Sequence, residues 1–285
     1  MRKLICLALL LAGTAQAQDF IQAQMPSDRE LPSYVLGSSH QVWPAGQVNW
    51  YYNPAGQPTN LSTQAVVNAI QLAASRWSGM CNVTFNYLGL TTTAPVLNGS
   101  SSTVDQINVF GWDFLLNDQA QYSAVTQTWW NGSQLMDADV VMNRSQSWFI
   151  SDVQAIMTHE LGHVIGISHS DVSASVMFAN PYHSAVYMQV LRGDDANACA
   201  AGYGAAPTAE SNRAFNWAET AYAQYLSPGP AASGTTSGYY YRYYSDTRSY
   251  VGTKDGVVYF MGADGVIQNM GPLSSYSTQV RSAGY

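Results

Sequence analysis

Residues 159–169 read His-Glu-Leu-Gly-His-Val-Ile-Gly-Ile-Ser-His. On a helix, His159 and His163 stand four positions apart, about 40° around the axis, so both imidazoles can reach one ion. Glu160 comes near that ion while pointing past it. Gly166 can take a backbone conformation that residues with a Cβ resist, so the chain can turn there and bring His169 back to the same ion. Three neutral imidazoles leave the fourth tetrahedral position open, the donor set of a catalytic zinc; structural sites are closed by four protein ligands. A zinc so held lowers the pKa of a bound water and polarises a carbonyl, and Glu160 is the expected base for the water's proton. Two readings compete with this. The three histidines could be ordinary residues at a helix end, although the chain has only five histidines from which to build so specific a pattern. Alternatively the zinc could be structural, with His183 as the fourth ligand, in a secreted surface- or polymer-binding protein.

The elements that must position these residues can be read from periodicity. A helix is expected to begin at Ser151, with Ser151 and Gln154 as a capping box, Val153, Met157 and Val164 on its core stripe, and Gly166 at its end. Strands are expected over 42–53, 83–88, 106–112, 122–130 and 135–142. Helices are expected over 62–77, with Ser62 as the cap, and over 191–201. The class is α+β: a mixed sheet with helices packed on it. Beyond Pro207 the composition changes. A helical stretch over 211–226 is followed by a Pro/Gly/Ser-rich stretch over 227–238 that reads as a linker, and then by short strands in a small β-rich module over 239–285.

The zinc segment resembles the metzincin peptidases, and among them the matrixins. Ser170 follows the third histidine, and Ser175-Val176-Met177 resembles the Met-turn, which would put Met177 beneath the zinc as an apolar floor. Residues 138–143 resemble the strand leading to the active-site helix, and Asp194-Asp195 and Tyr203-Gly204 resemble the closing helix. The resemblance spans about 42–204. It implies a twisted mixed five-stranded sheet with three helices, a zinc endopeptidase over 42–206, and protein or peptide substrates. It also puts the fourth strand at the sheet edge, where an extended peptide can add. Trp129, Trp130 and Tyr182 are candidate cleft residues, and strand packing is the competing role for the two tryptophans. Pro181 and Tyr182 come four and five residues after Met177, where matrixins often place Pro and Tyr at two and four, so the P1′ preference is left open. No cysteine lies between Gln18 and Gln41 to act as a latency switch. Calcium ligands, if calcium binds, would be drawn from Asp105, Asp113, Asp118, Asp137 and Asp139.

The rest of the chain sets the compartment. Arg2 and Lys3, the apolar run from Leu4 to Ala12, and Ala15-Gln16-Ala17 read as a signal peptide over 1–17, followed by an arm or short pro-segment over 18–41. No later stretch is apolar enough to span a bilayer, so a secreted protein without a membrane partner is expected. The net charge is −7, and more negative once Arg2 and Lys3 are removed, which disfavours nucleic acid as a partner. After signal cleavage Cys81 and Cys199 remain, an expected disulfide in an oxidising compartment, with two free thiols as the alternative. The run Tyr239–Tyr244 is ordinary strand material that could also contact a surface or polymer.

Overall fold

The computed structural model describes residues 41–97, 104–179, 189–226 and 231–285. The expected signal peptide, nearly all of the N-terminal arm, Tyr182 and His183 lie outside them. Strand β1 (Gln47–Tyr52) alternates exposed and buried positions, with Val48, Trp50 and Tyr52 turned inward. Helix α1 (Thr63–Ser78) is capped by Ser62, whose hydroxyl accepts from the Ala65 N–H, and lays Val66, Ile70, Ala73 and Trp77 on the sheet. Strands β2 (Thr84–Leu90), β3 (Asn108–Asp113), β4 (Ala124–Asn131) and β5 (Gln134–Asn143) complete a five-stranded sheet in the order β2-β1-β3-β5-β4. All pairs are parallel except β4 with β5, so the sheet is mixed and β4 forms one edge. Helices α2 (Ile150–Val164) and α3 (Gly193–Tyr203) join α1 in covering one face. Cys81, just after α1, is bonded to Cys199 of α3, with Cα atoms 5.6 Å apart.

Two sequence expectations need correction. Helix α2 starts at Ile150 rather than Ser151, and the carboxylate of Asp152, not Gln154, accepts from the backbone of the cap residue, Phe149, at 2.8 Å. A charged acceptor in the first turn also suits the positive end of the helix dipole better than an amide does. The second correction concerns the presumed linker. Ala231–Thr236 is strand β6, paired antiparallel with β7 (Tyr239–Tyr244). Its small residues are what a tyrosine-rich neighbour needs, because a Cβ at Gly234 would sit 2.8 Å from the Tyr241 ring.

Strands β6, β7, β8 (Ser249–Lys254), β9 (Val257–Met261) and β10 (Ile267–Pro272) form a second, antiparallel sheet joined in sequence order. Helix α4 (Ala209–Ala221) packs against this sheet through Phe215, whose ring lies over Tyr240, while Trp217 packs on Tyr222 and Tyr276. Along the same stripe Asn212 donates to the Gly79 carbonyl at 2.9 Å and Asn216 to the Leu191 carbonyl at 2.9 Å. Between the layers, Glu219 of α4 accepts from Arg76 of α1 at 2.8 and 3.0 Å and pairs with Arg242 of β7. The Tyr244 hydroxyl adds a third donor at 2.9 Å. The short helix α5 (Ser277–Ser282) closes the second core.

Candidate metal centre

Helix α2 carries His159, Glu160 and His163 and stops in a turn that delivers His169. Gly166 N–H donates to the His163 carbonyl at 2.9 Å and Ile167 N–H to that of Gly162 at 3.0 Å, the paired bonds of a Schellman cap. Gly166 sits at φ +84°, and a Cβ there would collide with the Gln41 carbonyl oxygen. The remaining end carbonyls are also used: Trp43 Nε1 donates to Val164 O at 2.7 Å and the Tyr203 hydroxyl to Ile165 O at 3.0 Å. The direction in which the chain leaves the helix is therefore held by hydrogen bonds from both sides of the motif.

That turn also orients the rings. His163 Nδ1 lies 2.8 Å from the Ile167 carbonyl, and His159 Nδ1 lies 2.7 Å from that of Val176. A carbonyl can only accept, so each ring donates from Nδ1, which leaves Nε2 as the nitrogen able to face a metal. His163 Nε2 and His169 Nε2 are 3.2 Å apart, and the ligand atoms of all three rings fall within 4.8 Å of one another. Corners of a tetrahedron around zinc, with Zn–N bonds of ~2.1 Å, are about 3.4 Å apart. The donor set thus fits a zinc ion. Among the described residues it is the only group of three or more His, Cys, Asp or Glu side chains able to share a metal. Burial, with the neighbouring histidines, holds His163 well below the usual imidazole value, and burial lowers His169 as well. Both are therefore neutral near pH 7, as ligands must be.

Glu160 is buried beside the triad, and its Oε2 accepts from the Thr126 hydroxyl of β4 at 2.6 Å. Burial pushes its carboxyl up, while His159 and the Thr126 hydrogen bond oppose the rise. Met177 is buried against the helix at Gly162, where an added Cβ would strike its Sδ and come within 2.9 Å of Trp77. The turn carrying Met177 hangs on Asp195 of α3. That carboxylate accepts from Val176 N at 3.0 Å, Met177 N at 3.1 Å and Arg192 N at 2.8 Å, and from the Ser175 hydroxyl. Since Val176 also supplies the acceptor for His159, Asp195 fixes that ring at one remove.

A family model described as Matrixin matches residues 42–204. The chain belongs to the matrixin family. It is 24% identical over 202 residues to a protein described as probable matrix metalloproteinase 095L of Invertebrate iridescent virus 3, covering 67% of this chain and 48% of that one. It is 27% identical over 152 residues to metalloendoproteinase 2-MMP of Arabidopsis thaliana, covering 51% of this chain and 38% of that one. The matrixin thus spans less than half the length of either of these relatives. Matrixins use zinc, and the triad is a donor set that could bind it.

The other candidate residues of this matrixin fall in different places. Trp130 is exposed at the end of β4. Trp129 is buried and pairs across from Asp137, whereas Thr126 pairs with Val140, whose side chain joins the core under the helices. Trp129 therefore lies on the sheet face turned away from Glu160, in a packing position. Asp137 and Asp139 share that face and accept backbone N–H groups: Asp105 and Gln106 for Asp137, Val96 and Val109 for Asp139. Burial raises Asp139 to about 7. Asp105 Oδ1 accepts from Ile107 N, and Asp113, exposed at the end of β3, accepts from Phe114 N. Thr126, Gly162 and the Asp195 cradle were not singled out from the sequence. Gly162 carried a local signal, as a helix-interior glycine flanked by motif residues.

Proposed function

We propose that this matrixin is an exported zinc-dependent endopeptidase in which His159, His163 and His169 hold the metal and Glu160 is the general base. The observation that carries the proposal is the convergence of three histidine side chains, with ligand nitrogens within 4.8 Å of one another, beside a buried carboxylate. Zinc bound there supplies Lewis-acid polarisation and a more acidic water. The chain's own groups do the rest. Two carbonyls hold His159 and His163 in one tautomer and Met177 closes the floor. The free Glu160 oxygen takes a proton and returns it to the leaving amine. Among the described residues no strand pairs with the outer edge of β4, and an extended peptide can add there by backbone hydrogen bonding. Substrates are accordingly proteins or peptides in extended form.

The export rests on the apolar start of the sequence. Among the described residues no helix is long and apolar enough to cross a membrane. The test of the chemistry is Glu160→Ala, with zinc content measured beside hydrolysis of casein and a fluorogenic peptide. The variant is expected to keep one zinc per chain and lose at least about 100-fold in turnover. A zinc-replete variant that turns over normally would remove Glu160 from the mechanism.

A further inference from the structure

We infer that Thr126 is the positioning residue for the Glu160 carboxylate, so that the base is held by the same edge strand proposed to receive the substrate. This rests on the reading of Glu160 as general base. Thr126 Oγ1 lies 2.6 Å from Glu160 Oε2 and 3.3 Å from the Glu160 carbonyl oxygen. A hydroxyl has one proton to give, and the shorter contact to a carboxylate oxygen is the stronger one. Oε2 is thereby committed to the strand, and Oε1 remains for the reacting water.

The placement follows from the sheet. Thr126 pairs across from Val140, which is buried in the core beneath α2. The alternation of side chains along β4 therefore turns Thr126 toward the helix, along with Ala124. Threonine, branched at Cβ, has a restricted χ1, so the hydroxyl direction is set by the strand rather than chosen by the side chain. Glutamate is the opposite case, a long side chain with several rotatable bonds. Held only by its own helix, it would sample orientations in which neither oxygen faces the reacting water. Both hydrogen-bond partners sit on elements packed together, since α2 packs on both β4 and β5.

The experiment uses the full zinc-loaded chain and the variants Thr126→Val, Thr126→Ser, Glu160→Ala and the double variant Thr126→Val/Glu160→Ala. Valine keeps the shape and removes the donor, while serine keeps the donor. Metal stoichiometry, melting temperature, kcat and KM on a fluorogenic peptide are measured for each. A hydrogen bond to a charged group of the strength usual in proteins predicts a fall in kcat of about tenfold or more for Thr126→Val, with KM within about twofold. Zinc content and melting temperature should match the wild type, and Thr126→Ser should recover most of the rate. On the Glu160→Ala background, Thr126→Val should have no further effect on the residual rate. In a crystal structure of Thr126→Val the Glu160 carboxylate should be turned from its position beside β4. Wild-type kcat in Thr126→Val, or a Thr126→Ser variant no better than valine, would overturn the inference while leaving an inactive Glu160→Ala intact as evidence for the base. If Glu160→Ala is itself active, it is the reading of the base that fails, and this inference falls with it.

Discussion

Among the described residues, Glu219 is the only carboxylate paired with the two buried guanidiniums Arg76 and Arg242, and replacing it by alanine removes that charge. Arg76, Glu219 and Arg242 are each at most 2% exposed and come from α1, α4 and β7. Asn216 and Asn212 accept from Arg242 at 2.8 and 2.7 Å, but neither carries charge. Without Glu219 the two cations face each other in a space water does not reach, and breaking a buried pair in this way costs about 3–5 kcal/mol. For a protein of this size, at ~2–4 °C per kcal/mol, the melting temperature should fall by roughly 10 °C. Arg76→Met should cost less, because it leaves the Glu219–Arg242 pair balanced. The effect has a pH signature. Burial alone would raise the Glu219 carboxyl, yet Arg76 and Arg242 hold it below its ordinary value. The stabilisation is therefore present above the unfolded carboxylate pKa of about 4.3 and is lost as pH falls through the lower folded value. Urea unfolding of the zinc-free protein at pH 7 and near pH 3 measures both, so that release of metal from the histidines in acid does not enter the comparison. A Glu219→Ala variant within about 1 kcal/mol of wild type at pH 7, or one costing less than Arg76→Met, would refute the reasoning.

Gly162→Ala should push the added methyl into Met177 and Trp77, destabilising by about 1–3 kcal/mol and weakening zinc retention in a chelator titration. Replacing both Cys81 and Cys199 by serine opens a loop with a sequence separation of 118 and should cost on the order of 4 kcal/mol in denaturant unfolding. A chain ending at residue 206 retains every residue proposed for the chemistry but uncovers Arg76 and the Gly79 and Leu191 carbonyls that α4 now satisfies. It should melt well below the full chain, and whatever fraction is folded and zinc-loaded should still cleave a short peptide. Equal melting temperatures would show that α4 contributes nothing to the first unit.

The meeting of the three histidines was legible because its information is local. A spacing of four on a helix puts two imidazoles on one face, and a glycine three residues later permits the turn that returns the third. Strand β1 and helix α1 were legible for the same reason: burial alternates with period two along Gln47–Tyr52 and follows one face of the helix along Thr63–Ser78, whereas β3 and most of β5 are buried on both faces. The start of α2 was misplaced by a residue because Ser151 and Asp152 offer competing caps, and only the finished turn chooses between them. The edge strand Ala231–Thr236 was read as linker because its residues are small, a composition that makes sense only under the ring of Tyr241. What tertiary structure alone decided are the pairings between distant residues. Thr126 meets Glu160 across 34 positions, Asp195 meets Met177 across 18, and Arg76 meets Glu219 across 143. A threonine in a strand, an aspartate in a first helical turn and an arginine in a helix each have an ordinary local role. No periodicity distinguishes those roles from the ones found here, because the partner's position depends on how sheet and helices close upon each other rather than on the neighbours along the chain.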